Sequence, residues 1–182
     1  MSLKKERDRL RSILIARSVE FGDFTLSSGE KSGVYIDARK TTLDPEGARL
    51  AAAIFLDLFS KDGRANAIGG PTLGADPIVG AMLALCGDTS LRGFIVRKQE
   101  KGHGTQRRVE GNLQKGDRAV LVEDVVTTGG SVMRAAEAVR ALGAEVLSVM
   151  AIVKRGDAQA LFEKEGIGFH AIFDADELTA QN

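Results

Sequence analysis

The run Ala119-Val120-Leu121-Val122-Glu123-Asp124-Val125-Val126-Thr127-Thr128-Gly129-Gly130-Ser131 sets two consecutive carboxylates between an apolar stretch and a small turn rich in glycine and hydroxyls. The apolar stretch predicts a strand ending in the acids, and the turn leads directly into a helix. In an open α/β sheet, ligands bind outside the carboxyl ends of the strands, where these residues would stand. The turn's backbone N–H groups and the helix N-terminus make a site for a phosphate monoester, with the Thr and Ser hydroxyls as further donors. Glu123 and Asp124 cannot hold phosphate oxygens; they suit sugar hydroxyls or a metal-bound sugar. Sugar and phosphate together describe a 5-phosphoribosyl group. An acid pair alone would more simply cap a turn, but the attached strand and Thr-Thr-Gly-Gly-Ser turn favour a ligand site. No Gly-Lys-Ser/Thr follows, which excludes a P-loop, and a dinucleotide fingerprint fails because the carboxylates precede the glycines.

A second constellation spans residues 97–108, from Arg97-Lys98 through Lys101, His103 and Gly104 to Arg107-Arg108, with five basic residues against one acid. Glycines at 102 and 104 exclude a stable helix and predict a flexible loop. Such a run is ordinarily a solvated basic loop. Here the strand before it delivers Arg97 to the same sheet edge as the acids, so a cationic loop could close over a pyrophosphate and exclude water.

The elements that must position these residues follow from composition and pattern. The 182 residues suit one domain with a small accessory piece. Twenty-five Lys and Arg balance 25 Asp and Glu, which gives no support to a general polyanion binder. One cysteine excludes a disulfide framework and any multi-Cys metal site, and Cys86 reads as a buried small hydrophobe. The absence of Trp and a single Tyr argue against a base-stacking nucleic-acid surface. No run of about 18 apolar residues occurs, so neither a membrane span nor a membrane partner is expected. The charged N-terminus lacks a signal-peptide core, which makes the cytoplasm the expected compartment.

Leu3, Leu10, Ile13 and Leu14 predict an amphipathic helix ending near Phe21-Gly22, and Phe24 to Arg39 reads as turns and short extended pieces. Asp44-Pro45-Glu46 and Asp76-Pro77 both read as helix starts with a cap followed by proline. Strands are expected over 65–70, 91–96, 118–122 and 145–153, with helices between them and a helix through Val132 to Leu142 stopped by Gly143. Strands alternating with helices, and apolar along most of their length, predict a mostly parallel central sheet flanked by helices on both faces.

The acid-and-turn segment resembles the 5-phosphoribosyl-1-pyrophosphate (PRPP) motif of type I phosphoribosyltransferases. The spacing Arg97-Lys98-x-x-Lys101-x-His103-Gly104 is similar to the catalytic loop of the orotate phosphoribosyltransferase family. Phe24-Thr25-Leu26-Ser27-Ser28-Gly29 with Ser32, Tyr35 and Asp37 resembles that family's substrate segment, and Gly69 to Pro77 its pyrophosphate loop. Some members carry lysine where Ser27 and Gly74 stand, so those cationic contacts are absent here.

The resemblance implies the type I phosphoribosyltransferase fold, with a small hood subdomain formed largely by the N-terminal segment. The expected division is one domain over 1–182: hood and N-terminal helix over 1–40, core over about 41–155 and a C-terminal segment over 156–182. It implies transfer of the phosphoribosyl group of PRPP to orotate, giving orotidine 5′-monophosphate and pyrophosphate in pyrimidine synthesis. PRPP would be bound by Arg97, Lys98, Lys101, His103 and the run Glu123, Asp124, Val125, Val126, Thr127, Thr128, Gly129, Gly130 and Ser131. Lys101, His103, Arg97 and Lys98 would be the catalytic residues, His103 donating a proton, and Pro71, Thr72, Leu73 and Gly74 would form the pyrophosphate loop. Arg155, Tyr35 and Thr127 would contact orotate. Mg²⁺ is the implied cofactor, held mainly by PRPP without dedicated protein ligands. A homodimer is implied, with loop 97–108 reaching the neighbouring subunit's site. A phosphoribosyltransferase for another base, and a PRPP-sensing regulator on the same fold, are the competing readings; the loop signature disfavours the first. About 20 residues precede the first family motif, too few for a DNA-binding domain.

Overall fold

The computed structural model describes residues 3–25, 31–98 and 108–180. The chain begins with α1 (Leu3–Ser18), followed by an antiparallel hairpin of β1 (Val19–Thr25) and β2 (Lys31–Ile36). After the short α2 (Arg39–Thr42) come α3 (Pro45–Asp62), β3 (Ala67–Pro71), α4 (Ala75–Leu85), β4 (Arg92–Val96) and β5 (Val109–Gly111). The rest is β6 (Arg118–Val126), α5 (Gly130–Ala141), β7 (Glu145–Lys154), α6 (Gln159–Lys164), β8 (Gly168–Asp174) and α7 (Ala175–Thr179). Six strands form one sheet in the order β5-β4-β3-β6-β7-β8, parallel except for the antiparallel edge strand β5.

Burial on both faces explains why the strands are apolar throughout. Val120 and Val122 of β6 join a core with Leu10 and Leu14 of α1, Leu50 and Phe55 of α3, and Met82 of α4. Ala119 and Leu121, pointing the other way, join a second core with Val132 and Val139 of α5 and Phe162 of α6. The expected parallel sheet flanked by helices is therefore the observed one. Its sixth strand, β8, lies within the segment 156–182 that was expected to follow the core.

Local starts and stops behave unevenly. Asp44 caps α3 as expected, its carboxylate accepting from the N–H groups of Glu46 (3.1 Å) and Gly47 (3.0 Å), with Pro45 in the first turn. Asp76 does not cap α4: that helix starts at Ala75 after Gly74, without a side-chain cap, and Asp76 Oδ1 is buried with no hydrogen-bond partner. The first helix ends at Ser18 rather than near Phe21, because Val19 and Phe21 pair across the hairpin with Ile36 and Val34. Ser18 is fully buried and shares a hydrogen bond with Thr41 (2.8 Å), which fastens that turn to α2. β6 continues through the acids to Val126 instead of stopping at Val122. Cys86 is half-buried at the end of α4, not a core residue.

The centre of the sheet is tightly built where β3 passes β6. A Cβ at Gly70 would overlap the Val122 carbonyl oxygen and stand 2.6 Å from the Ala75 Cβ. Gly70→Ala should therefore lower unfolding free energy by about 3 kcal/mol, the upper range of overpacking costs. Denaturant unfolding at neutral pH measures it, and a loss under about 0.5 kcal/mol would contradict this packing.

Candidate active site

Parallel pairing brings the ends of β3, β4, β6 and β7 to one edge of the sheet, and the acid pair stands there within β6. Glu123 is buried and Asp124 half-buried. The Asp124 N–H donates to Glu123 Oε1 (3.1 Å), and the Val125 N–H donates to Asp124 Oδ1 (2.8 Å). Residues 71–74 leave β3 directly against the acids, anchored by the Thr72 N–H on the Val96 carbonyl (3.0 Å). The Thr72–Leu73 peptide is cis. A Cβ at Gly74 would collide with Glu123 Oε1 and Asp124 Oδ1 and lie 2.8 Å from Asp124 Cγ. Gly74 is thus the residue that lets the loop backbone touch the carboxylates.

Pro71 to Gly74, Glu123, Asp124, Val125 and Ser131 line a cavity of about 240 Å³, closed from the hairpin side by Tyr35, Ile36, Asp37 and Arg39, with Lys98 at its wall. Beyond the acids, Thr127 and Thr128 are exposed, and Gly129 adopts φ 77°, a left-handed conformation that favours glycine. A Cβ there would also stand 3.0 Å from Phe162 Cζ and 3.2 Å from Leu161 Cδ2, so the turn rests on α6. Gly130 and Ser131 open the 12-residue α5, whose first N–H groups have no side-chain cap and offer donors for an anion.

The other candidates are distributed around this cavity. Lys98 lines it, while the Arg97 guanidinium faces Glu110 at 3.6 Å and its N–H donates to the Arg108 carbonyl (2.8 Å). Lys101 and His103 lie outside the described residues. The Tyr35 ring leans on Phe24 with centroids 5.5 Å apart. Arg155 borders a separate hollow of about 250 Å³ with Ser32, Ile36, Lys154 and Asp174, although its N–H donates to the Val126 carbonyl (2.8 Å) beside the phosphate turn. A larger hollow of about 580 Å³ lies outside Asp37 and Arg39, walled by Leu43, Leu73 and Pro77; it holds neither the acid pair nor the turn.

One cavity thus gathers an acid pair, a helix start and a cationic wall, and comparison with known proteins shows what the chain as a whole is similar to. Residues 41–173 match the phosphoribosyl transferase domain. The chain is 41% identical over 172 residues to the orotate phosphoribosyltransferase of Rhodopirellula baltica, covering 90% of this chain and 89% of that protein. It is 46% identical over 166 residues to the enzyme of the same name from Streptomyces avermitilis, covering 89% and 91%. The chain belongs to the orotate phosphoribosyltransferase family. Among solved structures, the Mycobacterium tuberculosis orotate phosphoribosyltransferase in complex with Fe(III) dicitrate superposes with a TM-score of 0.84 at 35% identity, covering 96% of this chain and 99% of that one. An adenine phosphoribosyl transferase from Trypanosoma brucei, 16% identical with a TM-score of 0.69 and covering 97% of this chain and 81% of that one, shares the fold alone.

Sequence reasoning gave no role to Arg39 of this cavity and placed Asp37 only within the segment that resembles a substrate segment. The Arg39 guanidinium grips the Asp37 carboxylate through Nε (2.8 Å) and Nη2 (3.1 Å), and that hydrogen bonding holds the Asp37 carboxyl below its usual range. Their Asp-x-Arg spacing directly after Tyr35 was the available signal. Glu123 is the strongest electrostatic anomaly: burial first, then the neighbouring Asp124 charge, push its carboxyl up to about 9. It is therefore a neutral acid near pH 7, able to donate as well as accept a hydrogen bond.

A raised folded-state value makes the proton part of the fold. Its stabilising effect is complete below about pH 4.5, where the unfolded chain is also protonated, and is lost as pH rises toward 9. Glu123→Gln should flatten the decline of stability between pH 5 and 9, read as the wild-type-minus-variant difference in denaturant unfolding across that range. Parallel pH profiles for the two proteins would contradict the buried neutral acid.

Proposed function

We propose that this chain carries out its family's reaction in the cavity between the acid pair and the 71–74 loop, joining the 5-phosphoribosyl group of PRPP to orotate with release of pyrophosphate. The observation that carries this reading is that the acid pair, the start of α5 and the 71–74 loop line one cavity. Orotate's ring nitrogen displaces pyrophosphate at the anomeric carbon through an oxocarbenium-like transition state. Little covalent chemistry falls to the protein, so positioning and charge stabilisation dominate.

In this scheme Asp124 accepts from the ribose hydroxyls and the protonated Glu123 both donates to and accepts from them. Val125 and Val126 carry the backbone into the turn, and Thr127, Thr128, Gly129, Gly130 and Ser131 take the 5′-phosphate. Pro71 to Gly74 face the pyrophosphate, with Lys98, Arg97, Lys101 and His103 supplying positive charge and His103 a proton to the leaving group. Arg155 pairs with the orotate carboxylate, Tyr35 packs on its ring, and Thr127 hydrogen-bonds it. The Arg155 N–H on the Val126 carbonyl, one residue before Thr127, supports a base site next to the phosphate turn.

Mg²⁺ is the proposed cofactor. Among the described residues no cluster of three or more His, Cys, Asp or Glu could hold a metal. The hard oxygens of Asp124 and Glu123 beside a ribose fit an ion that arrives on the substrate's own oxygens. When bound, the ion would neutralise charge on the departing pyrophosphate. A homodimer that exchanges loop 97–108 is also proposed; Leu43 and Leu73, 74% and 69% exposed around the apolar hollow, offer such a contact surface. One domain over 1–182, with the β1–β2 hairpin as hood, and a cytoplasmic place of work complete the reading; no helix among the described residues is long and apolar enough to cross a membrane.

Incubation with PRPP, Mg²⁺ and orotate should consume orotate and release pyrophosphate, with adenine, hypoxanthine and uracil turned over far more slowly, and a chelator should stop the reaction. Preferential turnover of a purine would overturn the reading. Lys101→Ala should lower kcat on the order of 10²-fold, the scale of losing one charge-stabilising donor. Mixing Lys101→Ala with Asp124→Asn subunits should restore part of the activity, and no recovery would count against loop exchange.

A further inference from the structure

Most arginines at the ends of the described strands and helices are neutralised. Arg92 pairs with Asp117 (3.0 Å), Arg140 with Glu165 (3.2 Å) and Arg39 with Asp37, and Lys154, directly before Arg155, pairs with Asp174 (3.2 Å). Arg155 has no acidic partner among the described residues. Its Nη2 donates instead to the hydroxyl of Ser32 at 2.6 Å, across 123 residues of sequence. That hydroxyl is itself held, because Ser32 Oγ donates to the Val34 carbonyl (2.7 Å) and accepts from the Val34 N–H (3.1 Å). A neutral hydroxyl steers a guanidinium without cancelling its charge, whereas a carboxylate would do both. The hollow of about 250 Å³ opens beside the pair.

We propose that Ser32 is a positioning residue, whose fixed hydroxyl orients the Arg155 guanidinium from the hairpin while leaving its charge for the substrate's carboxylate. The proposal rests on Arg155 being the orotate contact. It makes the hairpin part of base recognition through a residue that need not touch the base. It also gives the β1–β2 hairpin a tie to the end of β7 that forms only when hood and core are correctly docked.

The test compares Ser32→Ala, Ser32→Thr, Arg155→Ala and the double variant Ser32→Ala/Arg155→Ala in steady-state assays with orotate and PRPP varied separately. Ser32→Ala should raise KM for orotate on the order of tenfold, the scale of one hydrogen bond to a charged group, with kcat and KM for PRPP within about twofold. Ser32→Thr, which keeps the hydroxyl, should restore most of the orotate KM. In the Arg155→Ala background, Ser32→Ala should add nothing further. An unchanged or lowered orotate KM in Ser32→Ala, an equal rise in KM for PRPP, or full additivity in the double variant overturns the positioning role while Arg155 keeps its own. If Arg155→Ala leaves KM for orotate unchanged, the assignment of the base contact fails first and Ser32 falls with it. Thermal unfolding of each variant separates these outcomes from loss of the fold.

Discussion

The cleft depends on how closely the backbone of β3 and its loop lies against β6. Strands in one sheet are set by hydrogen-bond spacing, but how closely β3 and the loop that leaves it can lie against β6 and its acids also depends on the side chains they carry. At Gly70 the limit is the Val122 carbonyl, and at Gly74 it is the carboxylates themselves. Removing both side chains lets main chain pack on main chain and then on the acids. Burial of Glu123 follows from that approach, and its neutral state follows from the burial. A larger residue at either position would open the cavity and return Glu123 to water as an ordinary carboxylate.

The two edges of the sheet treat charge in opposite ways. At the edge where β3, β4 and β6 begin, the buried Asp117 is satisfied from every side, by Arg92, the Asn66 amide (3.0 Å) and the Gln114 N–H (2.8 Å). At the edge where they end, Glu123 and Asp124 form no ion pair among the described residues and bond to neighbouring backbone and to each other. A compensated acid stabilises a junction, while an uncompensated one is ready to interact with an incoming group. The zero net charge of the chain thus contains a segregation, with Asp117 paired where strands start and Asp124 left without an ion pair among the described residues where they end.

Much of this was legible wherever the cause is local. The Asp44-Pro45 start of α3 reads correctly because a cap involves four consecutive residues, and the acid pair with its turn reads correctly because strand, acids and helix start are contiguous. Failures fall where the cause is distant. Asp76 carries the same cap-plus-proline signal as Asp44, yet the helix begins two residues earlier, at Ala75, where the 71–74 loop enters it from the acid pair. The end of α1 is decided by hairpin pairing of Val19 with Ile36, and no residue near Ser18 announces that partner. The Ser32–Arg155 bond and the separation of the hollow beside Arg155 from the acid-side cavity likewise require the folded chain.

The left-handed turn at Gly129 lies against Phe162, which is fully buried and packs on Phe169 with ring centroids 4.9 Å apart. The segment after β7 therefore acts as an abutment for a turn it does not belong to. Its side chains are answerable to the shape of that turn, so a volume change at Phe162 would be felt first as a shift in the donors at the start of α5, and only second as a defect in the core.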